Sequence, residues 1–128
     1  MRILHVSDMH FGGEDASAVD AVARFAAHAQ PDLVVASGDL SLVGRQSELD
    51  AACAWLAALG APVVATPGNH DVPYHEIVGR LYKPFRRYER AASGRVRDSW
   101  NDASACIVTV NTARGWQLRK SIASAARA

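Results

Sequence analysis

Residues 3–10 read Ile-Leu-His-Val-Ser-Asp-Met-His, a short apolar run that passes directly into an aspartate and a histidine. Two later stretches repeat this pattern: residues 33–39 read Leu-Val-Val-Ala-Ser-Gly-Asp, and residues 62–71 read Pro-Val-Val-Ala-Thr-Pro-Gly-Asn-His-Asp. The apolar runs are nearly continuous, which is typical of parallel strands buried on both faces. The three stretches therefore predict three buried strands, each of which ends in polar residues.

The spacing of these polar ends indicates how the strands are connected. Asp39 follows Asp8 by 31 positions, and Asn69 follows Asp39 by 30. A strand, a crossover helix and the next parallel strand occupy roughly 30 residues, so each step corresponds to one βα unit. Right-handed crossovers place the carboxyl ends of the three strands at one edge of the sheet, where open α/β sheets bind ligands. The spacing therefore predicts an α/β fold with a βαβαβ core and with Asp39 on the central strand.

Helical patterns fill the two intervals between the apolar runs. In the first interval we expect Ser17 to cap the helix, with Asp20 in the position of a capping-box acid. Its expected inward residues are Ala18, Val22, Phe25, Ala26 and Ala29. In the second interval we expect a helix that begins at Ser47 and stops at Gly60. Its expected inward residues are Leu49, Ala52, Cys53, Leu56 and Leu59.

The C-terminal part of the chain has a weaker pattern. Residues 74–92 mix basic and aromatic side chains around an internal proline, which predicts one or two short helices. Residues 95–100 and 105–111 predict two strands, and the turn-forming pair Asn101-Asp102 between them indicates an antiparallel hairpin. Residues 117–128 have a weakly helical composition without a clear apolar face.

The overall composition predicts one soluble globular domain that spans residues 1–128, with 49% hydrophobic and 21% charged residues. The net charge of +1 argues against nucleic acid or an anionic membrane as a general partner, and no segment has the length of a membrane span. We interpret the basic stretch 80–97 as a solvated helix face rather than a nucleic-acid patch. Cys53 and Cys106 lack metal-type spacing and are interpreted as core residues in a reducing compartment, which predicts a cytoplasmic protein.

The polar residues at the strand ends have the chemistry of metal ligands. Asp8 and His10 lie two positions apart on a segment expected to be extended, so their side chains should point to the same side. His5 has the opposite parity and should point away from them. Asp39 can bridge two cations through its two carboxylate oxygens, and Asn69 offers a neutral carbonyl oxygen to the second cation. A mixed set of nitrogen and oxygen ligands suits Mn, Fe, Zn, Ni or Co better than Ca or Mg.

The third motif adds a candidate proton donor. Two divalent cations about 3.5–4 Å apart can activate a water molecule and hold a phosphoryl oxygen. His70, which is not needed as a ligand, can then protonate a leaving alkoxide, and Asp71 can orient the imidazole. Each motif alone also occurs in ordinary turns, but three of them in this order, one βα unit apart, form a specific combination. No serine or cysteine nucleophile with a base partner is evident, which agrees with direct attack by water.

These residues resemble the signature of the calcineurin-like metallophosphoesterases. The motifs that begin at Asp8, Gly38 and Gly68 match the first three blocks of that five-block signature. Residues 4–12 look especially like members grouped with bacterial cyclic-nucleotide phosphodiesterases. The resemblance implies the N-terminal half of a four-layer α/β/β/α metallophosphoesterase sandwich, with the βαβαβ core and the C-terminal hairpin as its parts.

The resemblance also implies roles for individual residues. Asp8, His10 and Asp39 would hold the first of two divalent metal ions. Asp39 and Asn69 would hold the second, and His70 would be the general acid beside the phosphate. The implied function is that of a metal-dependent phosphoesterase that hydrolyses phosphodiester or phosphomonoester bonds with metal-activated water. The first signature block favours a phosphodiester as the substrate.

The chain departs from the family signature in its second half. The last two blocks, Gly-His and Gly-His-x-His, supply three further imidazole ligands, but no histidine follows His75. His28 and His75 lie outside those contexts and are interpreted as surface or structural residues. We therefore expect a truncated reading frame in preference to a half-domain completed by another chain. We also expect one bound cation or none, and an apolar inner sheet face that promotes a homo-oligomer.

An alternative function stays open at this point. The chain could be a catalytically impaired fragment or a non-catalytic protein-interaction module with the same fold. The absent histidines favour this alternative. The presence of His70 and Asp39 favours the enzyme, since a scaffold has no need of them. Arg114 could approach a phosphate from its loop, but we interpret it as part of a structural turn.

Overall fold

The computed structural model describes residues 1–116, which form a three-stranded sheet, four helices and a two-stranded hairpin. The strands of the sheet are β1 (Ile3–Val6), β2 (Leu33–Ser37) and β3 (Val63–Thr66). The helices are α1 (Ala16–Ala29), α2 (Gln46–Ala57), α3 (Ile77–Tyr82) and α4 (Arg86–Ala92). The hairpin strands are β4 (Ser99–Asn101) and β5 (Cys106–Val108). Within residues 1–116, every helix is too short or too polar to cross a membrane.

The sheet confirms the predicted βαβαβ topology. Its order is β1-β2-β3, and both pairs of neighbouring strands are parallel. The register aligns Leu4 with Val34 and Val34 with Val63. Because β2 is central, the loop that contains Asp39 leaves the sheet between the ends of the other two strands, as the spacing of the motifs predicts.

One face of the sheet packs against the helices and forms the core. The strand residues at its centre are Val34, Ala36, Val63 and Ala65. On the opposite face Leu33 and Val64 are buried, but Ile3 is 49% exposed. The prediction that all three strands are buried on both faces is therefore wrong for β1. The reason is that β1 lies at the edge of the sheet and has a neighbour on one side only among the described residues.

Helix α1 differs from its prediction at its start and along its inward face. The Asp15 carboxylate caps it by accepting hydrogen bonds from the backbone N–H groups of Ser17 (2.9 Å) and Ala18 (3.2 Å). Ser17 is therefore not the cap, because the carboxylate two residues upstream takes the free amides first. Phe25 is 58% exposed and Ala18 is also exposed, so neither belongs to the core. The residues of α1 that belong to the core or pack against it are Val19, Ala23 and Ala26.

Helix α2 confirms its predicted inward face. The buried residues on and just after it are Leu49, Ala52, Cys53, Leu56 and Leu59. The helix begins one residue earlier than predicted, and Arg45 at the cap position makes no side-chain hydrogen bond to the first amides. The buried Glu48 carboxylate instead accepts hydrogen bonds from the N–H groups of Val43 (3.0 Å) and Arg45 (3.3 Å). Glu48 thus fixes the loop before α2 and satisfies the backbone N–H at the cap position.

The prediction of one or two short helices for residues 74–92 is confirmed, and the structure has two, α3 and α4. The interpretation of the basic stretch 80–97 as a solvated face is wrong for Arg80, which is buried and donates from Nε to the Gly115 carbonyl (2.6 Å). The apolar side chains of α3 point to solvent instead. Ile77, Val78, Leu81 and Tyr82 are 63–83% exposed. In helix α3 the arginine side chain is therefore buried, while the apolar side chains are exposed to solvent.

The C-terminal hairpin confirms the prediction of two antiparallel strands, which are shorter than expected. Asp102 forms the turn by accepting hydrogen bonds from Ser104 (2.7 Å) and Ala105 (2.9 Å), and the Ser104 hydroxyl is the main reason that its pKa falls to about 2. Cys53 is buried as predicted, but Cys106 is exposed, because β5 covers no core. The predicted helical composition of residues 117–128 lies outside the described residues.

Candidate metal centre

The loops that follow β1 and β2 bring three ligand-type side chains together. One ligand atom from each of Asp8, His10 and Asp39 lies within 4.8 Å of the other two. Asp8 is exposed, whereas His10 and Asp39 are half-buried, so the group is open to solvent on one side. These are the three residues that the strand-end motifs place at one edge of the sheet.

Backbone hydrogen bonds continue from the sheet into these loops. They join consecutive positions of the loop after β1 to consecutive positions of the loop after β2. The pairs are Asp8 N–H to Gly38 O (3.2 Å), His10 N–H to Asp39 O (3.1 Å) and Phe11 N–H to Leu40 O (2.8 Å). Because the β1–β2 pairing is prolonged past both strand ends, the two loops lie side by side and their ligand-type residues meet.

The backbone at all three residues is left-handed, with φ angles of 54° for Asp8, 47° for His10 and 53° for Asp39. Within residues 1–116, Gln30 at the end of α1 is the one other non-glycine residue with a positive φ. The assumption that the Asp8–His10 segment is extended is therefore wrong. The side chains converge because the chain turns at each residue. Such conformations are unfavourable, although Asp and His tolerate them better than most residues, and they concentrate at functional sites.

The donor atoms present at this group fit a divalent cation. Within the described part of the chain, the Nδ1 atom of His10 is one of two buried side-chain polar atoms without a hydrogen-bond partner. A buried imidazole nitrogen with no partner is unfavourable unless something else satisfies its lone pair, and a cation between the imidazole and two carboxylates would do so. One nitrogen ligand with two oxygen ligands suits the first-row divalent metals.

The loop after β3 holds Asp39 in place from the other side. The backbone N–H of His70 donates to Oδ1 of Asp39 (3.0 Å). Gly68 approaches Asp39 so closely that a Cβ atom at position 68 would collide with both the carboxylate and the backbone nitrogen of Asp39. Glycine is therefore required at this position for the two loops to meet.

Asn69 lies beside Asp39 in a polar cleft of about 230 Å³. Ser37 and Thr66 also line this cleft, and the Thr66 hydroxyl oxygen is the second buried polar atom without a partner in residues 1–116. Asn69 is thus adjacent to the carboxylate with which we expect it to share a cation. His5 is placed apart from the three-residue group, and its Nε2 lies 2.7 Å from the Ser37 hydroxyl.

His70 packs directly against His10. The ring centroids are 4.6 Å apart and the ring planes are nearly perpendicular, at 88°. Nδ1 of His70 lies 2.8 Å from the carbonyl oxygen of Leu42. A carbonyl oxygen can only accept a hydrogen bond, so Nδ1 carries a proton and Nε2 is the nitrogen that can exchange one. The predicted proton donor therefore lies beside the three-residue group with a defined tautomer.

The structure corrects the predicted role of Asp71, whose side chain is fully buried and turned away from the His70 ring. Burial raises the pKa of this carboxyl group, and four hydrogen-bond donors counteract that effect. The donors are the N–H groups of Leu40 (3.1 Å), Ser41 (2.7 Å) and Gly68 (2.8 Å) and the hydroxyl of Ser41 (2.8 Å). The Leu42 carbonyl orients His70 instead, because Asp71 is occupied in joining the loops after β2 and β3.

The fold and the site define the class of this protein. The family model for calcineurin-like phosphoesterases matches residues 1–117, which is most of the chain. The chain therefore belongs to the calcineurin-like phosphoesterase family, and the resemblance found in the sequence motifs is confirmed. The mixed α/β structure with its parallel three-stranded sheet agrees with the N-terminal part of the metallophosphoesterase fold.

Particular relatives are phosphodiesterases by name. The chain is 35% identical over 82 residues to the glycerophosphodiester phosphodiesterase GpdQ of Enterobacter lignolyticus. The aligned region covers 56% of this chain and 30% of that protein. It is 44% identical over 57 residues to a probable cyclic nucleotide phosphodiesterase of Synechococcus, over 43% of this chain and 22% of the relative. A probable cyclic nucleotide phosphodiesterase of Moraxella catarrhalis is 38% identical over 81 residues, 59% of this chain and 29% of the relative. The aligned parts thus span less than a third of each relative.

Two structural contributors to the site were not predicted from the sequence. The Leu42 carbonyl that orients His70 has no sequence signal, because every residue has a carbonyl group. Ser41 had a weak signal, since it is a polar residue between two leucines. Its hydroxyl donates to Asp71 and accepts from the N–H of Gly44 (3.2 Å), so it stabilises the loop that carries the Leu42 carbonyl.

Proposed function

We propose that this chain forms part of the active site of a metal-dependent phosphodiesterase. In this proposal Asp8, His10, Asp39 and Asn69 hold divalent cations, and His70 supplies a proton to the leaving group. The observation that carries the proposal is the convergence of three ligand atoms within 4.8 Å of one another, beside a histidine whose tautomer is defined by a backbone carbonyl. Membership of the calcineurin-like phosphoesterase family supports the same chemistry.

Each residue contributes a distinct part of the reaction. Divalent cations, when bound, would lower the pKa of a water molecule and offset the negative charge of a phosphoryl group. Asp39 keeps its orientation through the N–H of His70, and His10 offers a nitrogen that has no other partner. His70 in its protonated form can donate from Nε2 to a leaving alkoxide, while Leu42 retains the proton on Nδ1.

A phosphodiester is the proposed substrate class. All three relatives are named as phosphodiesterases, which supports a diester over a monoester. The cleft beside Asp39 and Asn69 is lined by hydroxyl groups that can donate hydrogen bonds to phosphate oxygens. With Mn²⁺ present, we expect the full chain to hydrolyse bis(p-nitrophenyl) phosphate faster than p-nitrophenyl phosphate.

The proposal is tested by paired substitutions in the full chain. Asp39→Asn and His70→Ala should each lower the Mn²⁺-dependent rate with bis(p-nitrophenyl) phosphate by about 100-fold or more. Asp20→Asn and His28→Ala are the matched controls, because both side chains are exposed on α1, and they should retain the full rate. Diphenyl phosphate separates the two roles further. Its phenolate leaves less readily than p-nitrophenolate, so the loss caused by His70→Ala should be larger with this substrate, whereas the loss caused by Asp39→Asn should be similar with both.

Two results would contradict the proposal. Equal activity in wild type, Asp39→Asn and His70→Ala would assign the hydrolysis to a contaminating enzyme. A loss in His70→Ala that is the same for both leaving groups would show that His70 does not act as the proton donor.

A further inference from the structure

A cavity of about 710 Å³ opens between the start of α2 and the pair α3–α4. Its volume lies in the range of small-molecule sites. Among its lining residues are five basic side chains and one acidic one, although the whole chain has a net charge of only +1. The basic residues are Arg45, Lys83, Arg86, Arg87 and Arg90. We call this cavity the basic groove.

Within residues 1–116, three of these five charges have no carboxylate partner. Arg87 lies 2.6 Å from Glu76, and Arg45 lies 3.7 Å from Glu48. The other three basic side chains form no ion pair with an acidic residue of the part that the structure describes. Cations that share one concave surface repel one another and raise the local concentration of anions. The groove therefore favours a ligand that carries several negative charges.

The start of α2 favours the same kind of ligand. Gln46 and Ser47, the first two residues of the helix, line the groove. The first amides of a helix need hydrogen-bond acceptors, and the helix dipole favours negative charge at this end. Arg45 occupies the cap position, where it provides no acceptor and has the opposite charge to the one favoured. The Glu48 carboxylate supplies a negative charge in the first turn and accepts from the Arg45 N–H, and an anion in the groove would offer an acceptor to the next amides, those of Gln46 and Ser47.

The opposite wall of the groove is apolar. Val78 and Tyr82 of α3 line it, and their side chains are 70% and 83% exposed. An aromatic ring next to guanidinium groups can stack on a planar part of a ligand while the cations bind its charged part. We propose that the basic groove binds a small phosphorylated ligand with at least two negative charges and a planar group, of the nucleoside diphosphate type. None of the proposed metal ligands lines this cavity, so the inference does not depend on the proposed function.

Calorimetric titration of the metal-free full chain with inorganic pyrophosphate and with ADP tests the proposal. Arg86→Gln and Arg90→Gln should each raise the dissociation constant for pyrophosphate about tenfold, because each removes one charge-assisted contact. Lys83→Gln provides a third variant of the same kind. Arg24→Gln is the matched control, since Arg24 is exposed on α1, and it should leave the constant unchanged. ADP should bind more tightly than pyrophosphate, and Tyr82→Ser should remove that difference without affecting pyrophosphate.

Further outcomes would overturn the proposal or distinguish binding in the basic groove from binding at the metal centre. Asp39→Asn should leave pyrophosphate binding unchanged, whereas loss of binding in this variant would place the anion at the metal centre and overturn the inference. The absence of pyrophosphate binding, or an equal effect of Arg24→Gln, would also overturn it. Binding to phosphatidylglycerol vesicles without binding to pyrophosphate would show that the groove serves a membrane surface instead. Circular dichroism of each variant confirms that the comparison is made between folded proteins.

Discussion

Asp71 illustrates how one residue can maintain a site without taking part in its chemistry. Its buried carboxylate receives four hydrogen bonds from the loops after β2 and β3, at distances of 2.7–3.1 Å. A buried carboxylate is tolerated only when such donors surround it. The same donors would lose their acceptor if the carboxylate were removed. Asp71 is therefore a structural link between the loop that carries Asp39 and the loop that carries His70.

The first prediction concerns this link. Asp71→Asn replaces an acceptor oxygen with an NH₂ group that faces backbone N–H donors, so it leaves buried donors unpaired. We expect the free energy of unfolding to fall by about 2–4 kcal/mol, measured by urea unfolding. Asp20→Asn, the same substitution at an exposed position of α1, should change it by less than about 0.5 kcal/mol. Equal stability of both variants would contradict the role assigned to Asp71.

Cys53 supports a prediction about pH. Burial raises the pKa of its thiol from 9.0 to about 11, so the folded protein keeps the thiol neutral in a range where the unfolded chain ionises it. The free energy of unfolding should therefore be unaffected by this thiol below pH 9 and should fall between pH 9 and pH 11, by up to about 2 kcal/mol. Urea unfolding across this range measures the slope.

The control for this prediction separates Cys53 from Tyr88, whose pKa is also raised by burial and which contributes a loss of stability in alkali. Cys53→Ala should reduce the alkaline slope and leave the part that is due to Tyr88. An unchanged slope in Cys53→Ala would show that the buried thiol is not responsible.

At the scale of elements, the apolar patterns correctly predicted those features of the fold that depend on many residues together. The three strands, their order and the inward face of α2 are confirmed because burial of a whole run specifies each of them. The start of α1 was not predicted correctly, because Asp15 and Ser17 are both good caps and only the actual turn decides between them. The exposure of β1 also depends on its position in the sheet, which its own apolar run does not reveal.

The sequence predicted which residues of the candidate site lie together better than it predicted how they are arranged. Asp8, His10 and Asp39 meet as the motif spacing predicts, but through left-handed turns that no side-chain pattern specifies. The orientation of His70 depends on a backbone carbonyl, and the inward rotation of Asp71 depends on the donors of two neighbouring loops. Such details arise from the close approach of separate loops, and local sequence does not contain them.

The contact between two loops also supports a prediction. Gly68→Ala would place a Cβ atom against the backbone and carboxylate of Asp39, and this conflict cannot be relieved by rotating a side chain. We expect a loss of about 2–3 kcal/mol of stability together with a fall in Mn²⁺-dependent activity. Gly79→Ala is the matched control, since its Cβ would meet only the flexible side chain of Glu76, and it should preserve both properties. Full activity in Gly68→Ala would contradict the close approach.

At the scale of the whole molecule, exposed apolar side chains favour self-association. On and after β5, Val108, Val110 and Trp116 are 64–72% exposed. The outer edge of β1 is also unpaired within residues 1–116. Exposed apolar side chains and open strand edges both promote contact between copies. The homo-oligomer remains a prediction, and these exposed residues and the edge of β1 are the surfaces that we expect to make the contact.

Light scattering of the full chain tests this prediction by measuring the mass of the particle in solution. We expect a mass of at least twice the 13.7 kDa of one chain. Val110→Lys should lower the measured mass, because it replaces an exposed apolar side chain just after β5 with a charged one. Ile77→Lys, which changes an equally exposed apolar residue on α3, should leave it unchanged. The mass of a single chain in the unmodified protein at working concentration would rule out the homo-oligomer.

The left-handed turns at Asp8, His10 and Asp39 affect how inactive variants of this protein should be designed. Alanine at any of these positions removes a functional group and also adds a backbone penalty of about 1–2 kcal/mol, so an alanine scan would overstate the importance of the side chains. Asparagine tolerates the same backbone conformation and therefore isolates the chemical loss. Asparagine variants are accordingly the better choice for testing the three candidate ligands in an otherwise native loop.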